Sequence, residues 1–170
     1  MSLERDVREL IDREAILAVL HRYCYLVDLQ DLDAMVEEVF APNGSDDHGE
    51  GPVVGRAAIR EWFAANTANI AGNAHNISNV DIDIDGDRAT MRSTVTSWTW
   101  TRERSNGDPL RPADYVLVVQ YLDELSRYPE GWRIDRRVLA SNGESVVGLG
   151  SLPRTQSGMR ALAGKVSGAG

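Results

Sequence analysis

Apolar side chains recur at helical spacing through the first part of the chain, from Leu3, Val7, Leu10 and Ile11 to Leu17, Ala18 and the run at 23–27. With charges between them, they predict one long amphipathic helix over residues 3–29. A second, shorter amphipathic stretch covers 31–40, with Asp31 placed to cap it and Ala41-Pro-Asn-Gly44 to stop it. Residues 45–55 are rich in Gly, Asp and Pro and read as a loop with at most a short edge strand. A third helix is expected over 56–69, entered from Gly55, with Ile59, Trp62 and Phe63 on one side.

Beyond Gly72 the period changes. Residues 74–84 and 88–103 read as strands joined by Asp85-Gly86-Asp87, a hairpin-turn signal. The Thr, Val and Trp residues of 90–101 give that segment high β propensity. A polar loop fills 104–112. Two further strands are expected over 115–122 and 132–141, connected through Tyr128-Pro-Glu-Gly131. Helices followed by an antiparallel meander predict an α+β fold: a cone-shaped barrel, its N-terminal helices packed on one face of a curved, mostly antiparallel sheet. A pocket is then expected at the open end of the cone. The domain is expected to span 1–142, leaving 143–170 as a Gly- and Ser-rich tail, partly disordered or packed on a neighbouring subunit.

Composition narrows the function classes. The 170 residues are 42 % apolar and 26 % charged, as in an ordinary globular domain. No apolar run approaches the roughly 20 residues of a bilayer span, and the N-terminus lacks a signal-peptide core, so no membrane partner and a cytoplasmic location are expected. A net charge of −8 and a pI near 4.9 argue against nucleic-acid binding, which needs a positive stripe. The single cysteine, Cys24, forms no metal spacing, and His21, His48 and His75 form no metal motif. With no GxGxxG and no P-loop, neither cofactor nor metal is expected.

Several local motifs come in a telling order: Arg22-Tyr-Cys-Tyr-Leu-Val-Asp28, then Leu32-Asp-Ala-Met-Val-Glu-Glu-Val-Phe-Ala-Pro42, then Gly55-Arg-Ala-Ala-Ile59. They continue with His75-Asn-Ile-Ser-Asn79, Ile84-Asp-Gly-Asp-Arg-Ala89 and Gly131-Trp-Arg-Ile-Asp-Arg-Arg137. Together, over roughly residues 5 to 140, the chain resembles the SnoaL-like branch of the NTF2-like, or ketosteroid-isomerase-like, superfamily. Within it the site logic is similar to that of scytalone dehydratase and hexachlorocyclohexane dehydrochlorinase. That resemblance implies that His75 is a general base and that Asp28 orients and charges it. It also implies a homo-oligomer, a trimer before a dimer. The second histidine of the dehydratase has no counterpart on the next strand, where Thr94, Thr96 and Trp98 stand.

The residues themselves admit bland readings beside these. Asp28 either ends its helix in solvent or points into a cavity with a partner, because burying it unpaired would cost several kcal/mol. Strict alternation groups His75 with Ile77, Asn79 and Asp81, yet Val80, Ile82 and Ile84 share the opposite face, so a bulge near Ser78–Asn79 is expected to switch faces. Tyr25 and Cys24 neighbour Asp28 on the helix. Tyr25 could donate to a substrate oxygen, and His21 could add a further polar group. Trp62, Trp98 and Cys24 are expected in the pocket, although aromatics there also serve as core or subunit interface. Of Arg136 and Arg137 only one can face inward. Glu37-Glu38 and Asp46-Asp47 read as solvated surface. The leading expectation is a cofactor-free lyase, dehydratase or isomerase that moves a proton on a small, largely apolar molecule, with His75, Asp28 and Tyr25 as the reacting set. A non-catalytic binding or interaction module is the alternative, and an epoxide or ester hydrolase a further one.

Overall fold

The expected long helix forms as α1 (Leu3–Leu29), but only its second half is core. Leu3, Leu10 and Ile11 are well exposed, whereas Ile16, Val19, Leu20, Tyr23, Cys24, Leu26 and Val27 are buried. The helix stops where Gln30 turns left-handed (φ 58°) and its N–H reaches back to Leu26 and Val27 carbonyls. Asp31 then caps α2 (Leu32–Val39), its carboxylate accepting from the Ala34 N–H at 3.2 Å. The third helix, α3 (Arg56–Asn66), ends earlier than expected, because Thr67 turns both its N–H and its hydroxyl onto the Phe63 carbonyl.

The described residues, in a computed structural model, are 2–108, 111–141, 146–148 and 160–161, the last two stretches by backbone alone. Their strands are β1 (Phe40–Asp47), β2 (Val53–Val54), β3 (Ile70–Asp85), β4 (Arg88–Thr101), β5 (Tyr115–Tyr128), β6 (Gly131–Ser141), β7 (Val146–Gly148) and β8 (Arg160–Ala161). They build one sheet in the order β2-β1-β6-β5-β4-β3, with β7 on β5 and β8 on β6. Pairing is antiparallel except for β1–β6 and β6–β8. The α+β architecture is therefore as expected. Most of the tail expectation for 143–170 lies outside the described residues. No helix among the described residues is long and apolar enough to cross a membrane.

The main correction is β1. Residues 40–47 read as a helix end and a loop, yet they run parallel to β6, with Asp46 beside Arg137. A glycine is required there: a Cβ on Gly44 would lie 2.8 Å from the Ile134 carbonyl oxygen. Asp46 and Asp47, read as solvated, are buried. Asp47 accepts the Gly49 and Gly51 N–H groups and shapes the turn that follows.

Two bulges set which side chains face inward. Between Ser78 and Asp81 the β3–β4 register gains one residue, and Asn79 takes a positive φ of 50°. His75 and Ile77 before it, and Val80, Ile82 and Ile84 after it, are consequently the less exposed positions. In β6, Leu125 pairs with Ile134 and Glu124 with Arg136, so Asp135 is the extra residue. The inward set passes from Trp132 and Ile134 to Arg137 and Leu139. Arg137 is thus the inward arginine, while Arg136 lies outside with Glu124 at 2.8 Å.

Candidate active site

Strand β3 ends the sheet, so the backbone N–H and C=O groups along its free side need partners from elsewhere. The end of α1 supplies them. Gln30 Nε2 donates to the Ile70 carbonyl at 2.9 Å, and Asp28 Oδ2 accepts the His75 backbone N–H at 3.0 Å. With its other oxygen Asp28 meets His75 Nδ1 at 2.5 Å. One carboxylate therefore fixes both the strand and the imidazole. The His75 side chain is only 10 % exposed and Asp28 26 %. A proton on Nδ1 leaves Nε2 as the ring's acceptor, and the ring lines a cavity of about 150 Å³.

The inner faces of β4 and β5 form the wall of that cavity. Buried positions on β4 are Val95, Ser97 and Thr99, and on β5 Tyr115, Leu117, Val119 and Tyr121. Ser97 is the cross-strand partner of His75, and Thr99 that of Asn73. Small polar side chains on this face leave the space that larger ones would fill. Trp62 and Phe63 from α3 close the other side. The Asn73 side-chain oxygen Oδ1, two residues from His75 on the same face, is buried with no hydrogen-bond partner among the described residues.

Beneath the cavity lies a buried ion pair. Arg137, fully buried, donates to both Asp123 oxygens at 2.7 and 2.8 Å, and its guanidinium lies 4.1 Å from the ring centres of Tyr23 and Tyr121. Burial holds the Asp123 carboxyl above its ordinary value although Arg137 pulls the other way. Burial also raises both tyrosine hydroxyls, which hydrogen-bond to each other. The Cys24 thiol is pushed up to about 12 by burial, which leaves it a packing group at neutral pH.

The expected site residues separate into two groups. Asp28 and His75 are brought together, and Trp62 lines the cavity beside them. Tyr25 is 57 % exposed on the outer side of α1 under the Arg22 guanidinium, so it does not reach the cavity. His21 is exposed too. Cys24 is buried in the core and does not line the cavity. Trp98 projects from the outer face of β4, since the inward positions there are the odd-numbered ones either side of it. Among the described residues no three metal-ligating side chains come together.

A second imidazole does reach the cavity, and the sequence reading missed it. His48, just past β1, has Nε2 3.0 Å from Asp46 Oδ2. Its ring packs against Trp62, with centroids 4.5 Å apart, and sits edge-on to Phe63 at 5.4 Å. The available signal was the two-residue spacing of Asp46 and His48, which points both the same way once the segment is extended.

Comparison with known proteins agrees with this fold. A family model described as a SnoaL-like domain matches residues 8–138. An uncharacterised protein of Mycobacterium tuberculosis is 31 % identical over 135 residues, covering 78 % of this chain and 87 % of its own. Among solved structures, an NTF2-like protein with a cystatin-like fold from Novosphingobium aromaticivorans is 28 % identical, with a TM-score of 0.65 over 84 % of this chain and 90 % of its own. A candidate scytalone dehydratase from the same organism superposes with a TM-score of 0.73 at 20 % identity, covering 91 % and 95 %. A type-2 hexachlorocyclohexane dehydrochlorinase does so with 0.69 at 14 % identity, covering 86 % and 95 %. The last two likenesses show the fold alone.

Proposed function

The chain belongs to the SnoaL-like domain family, and on that premise we propose that it is a cofactor-free proton-transfer enzyme, a lyase or isomerase, acting on a small and largely apolar organic molecule. His75 is the general base: Nε2 removes a proton from a carbon next to an activating carbonyl, and Asp28 holds the ring and balances the imidazolium that forms. The observation that carries this reading is the 2.5 Å Asp28–His75 contact on the wall of the cavity. A cavity of about 150 Å³ suits a single six-membered ring. Tyr25 has no part in it.

The test is hydrogen–deuterium exchange at the α-carbon of β-hydroxycyclohexanone in heavy water. Wild-type protein is expected to accelerate exchange, and His75→Ala to lose about 10²-fold or more of that acceleration. An unchanged rate in His75→Ala would overturn the reading in favour of a binding module.

The outer face of the sheet, where Trp98 pairs across strands with Val116, is proposed to be covered by further copies in a homotrimer. Sedimentation at the monomer mass of 18.7 kDa would set that aside. A cytoplasmic location is likewise proposed, and fractionation of the native cell tests it.

A further inference from the structure

Eight large apolar side chains stand well exposed among the described residues, and six of them belong to α1: Leu3, Val7, Leu10, Ile11, Tyr25 and Leu29. At about 100° of turn per residue, these six fall on a single arc of about 100°. The buried side chains of the same helix, from Ile16 to Val27, occupy the opposite arc. The stripe therefore points away from the core of its own domain, and it is separate from the outer face of the sheet. Single exposed apolar residues are ordinary, but a stripe that runs the length of a helix marks a contact surface. The charges on its two borders are already paired within the chain, Arg13 with Glu9 and Arg22 with Glu38. Between the apolar ends the exposed positions on this arc are Glu14, Ala18 and His21. Neither Glu14 nor His21 has a partner among the described residues.

We infer that this stripe is an interface for a second copy of the chain, helix against antiparallel helix, with a two-fold axis passing between Leu17 and Ala18. The inference goes beyond the proton-transfer reading and does not depend on it. Its ground is that the stripe is complementary to itself when turned end for end, which a two-fold contact requires. Glu14 and His21 stand equidistant from the axis, one a carboxylate and the other a ring with an N–H to donate. Antiparallel pairing sets Glu14 against His21 of the second copy, and His21 against its Glu14. An imidazole donates to a carboxylate in either charge state, so both polar groups are satisfied. Further out, Leu10 and Ile11 meet Tyr25 of the second copy, and Val7 approaches its Leu29. Ala18, small and beside the axis, lets the two helices come close. Parallel pairing would instead oppose Glu14 to Glu14, like charge to like. Because this surface is apart from the sheet, the contact doubles whatever assembly the sheet builds.

Sedimentation equilibrium of the full chain across a concentration series tests the interface. The wild-type mass is expected at an even multiple of 18.7 kDa. Ala18→Arg puts a long charged side chain beside the axis, at a position exposed in the single chain. Its mass is expected to halve while its circular dichroism stays that of wild type. His21→Glu opposes two carboxylates in each half of the contact and should weaken association about tenfold. Exchanging the two residues, Glu14→His together with His21→Glu, rebuilds both pairs and should bring association back to within about twofold of wild type. That rescue is specific to the antiparallel arrangement, and it holds as a test whether or not Ala18→Arg folds. An odd multiple of the monomer mass in wild type, or a folded Ala18→Arg protein of unchanged mass, would overturn the assignment. So would an exchanged double variant that associates as weakly as His21→Glu.

Discussion

Replacing Asp28 by Asn tests the division of labour in the dyad. The substitution keeps the size of the side chain, and the amide oxygen can still accept the His75 backbone N–H, now 3.0 Å from Oδ2. It then turns the amide NH₂ toward Nδ1, where a carboxylate oxygen sits at 2.5 Å. An NH₂ group there accepts nothing, so the imidazole proton moves to Nε2 and the base loses its acceptor. The rate loss should approach the full worth of a general base, about 10²–10⁴-fold. The stability loss should be small, because a charge-assisted hydrogen bond of about 1.5–3 kcal/mol is exchanged for a neutral contact at a group that is 26 % exposed. Long-range nitrogen–proton NMR correlation reads the tautomer directly, and α-exchange kinetics read the rate. An Asp28→Asn protein whose His75 keeps its proton on Nδ1, or which exchanges at the wild-type rate, would refute this reasoning.

Three other outcomes follow from the same structure. Arg137→Met leaves Asp123 buried without its partner, so a loss of about 3–5 kcal/mol is expected in urea unfolding; a loss under 1 kcal/mol would count against the ion pair. Asp114 is hydrogen-bonded by Arg111, which holds its carboxyl down at about 2, below its unfolded value of about 3.9. Its contribution is therefore complete above about pH 4 and lost as pH falls toward 2, and Asp114→Asn should flatten the acid limb of the stability curve in that window. Tyr25→Phe, at an exposed position outside the cavity, should change α-exchange by less than about twofold, and a larger fall would return Tyr25 to the site.

The two bulges show how far periodicity carries. In β3 the apolar positions change phase within the strand, which exposes the extra residue near Ser78–Asn79 in the sequence itself. In β6 the extra residue is Asp135, and the positions on either side, Ile134, Arg136 and Arg137, do not reveal it. Which arginine is buried is decided by pairing with β5. Strand β1 was hidden for a related reason. Pro42, Asn43, Gly44 and two aspartates have poor β propensity, and β6 imposes the extended form by pairing with them. That concealed Asp46 and His48 together. Trp98 was misplaced because a large aromatic reads as a pocket wall, whereas here small residues, Ser97 and Thr99, face the cavity.

The central claim is that Asp28 acts through His75, and a double-variant cycle on α-exchange tests it most directly. His75→Ala, Asp28→Asn and the double variant are compared with wild type. If the two form one unit, the double variant is no slower than His75→Ala within about twofold, because nothing remains for Asp28 to orient. Losses that multiply, so that Asp28→Asn slows the His75→Ala protein as much as it slows wild type, would contradict the account.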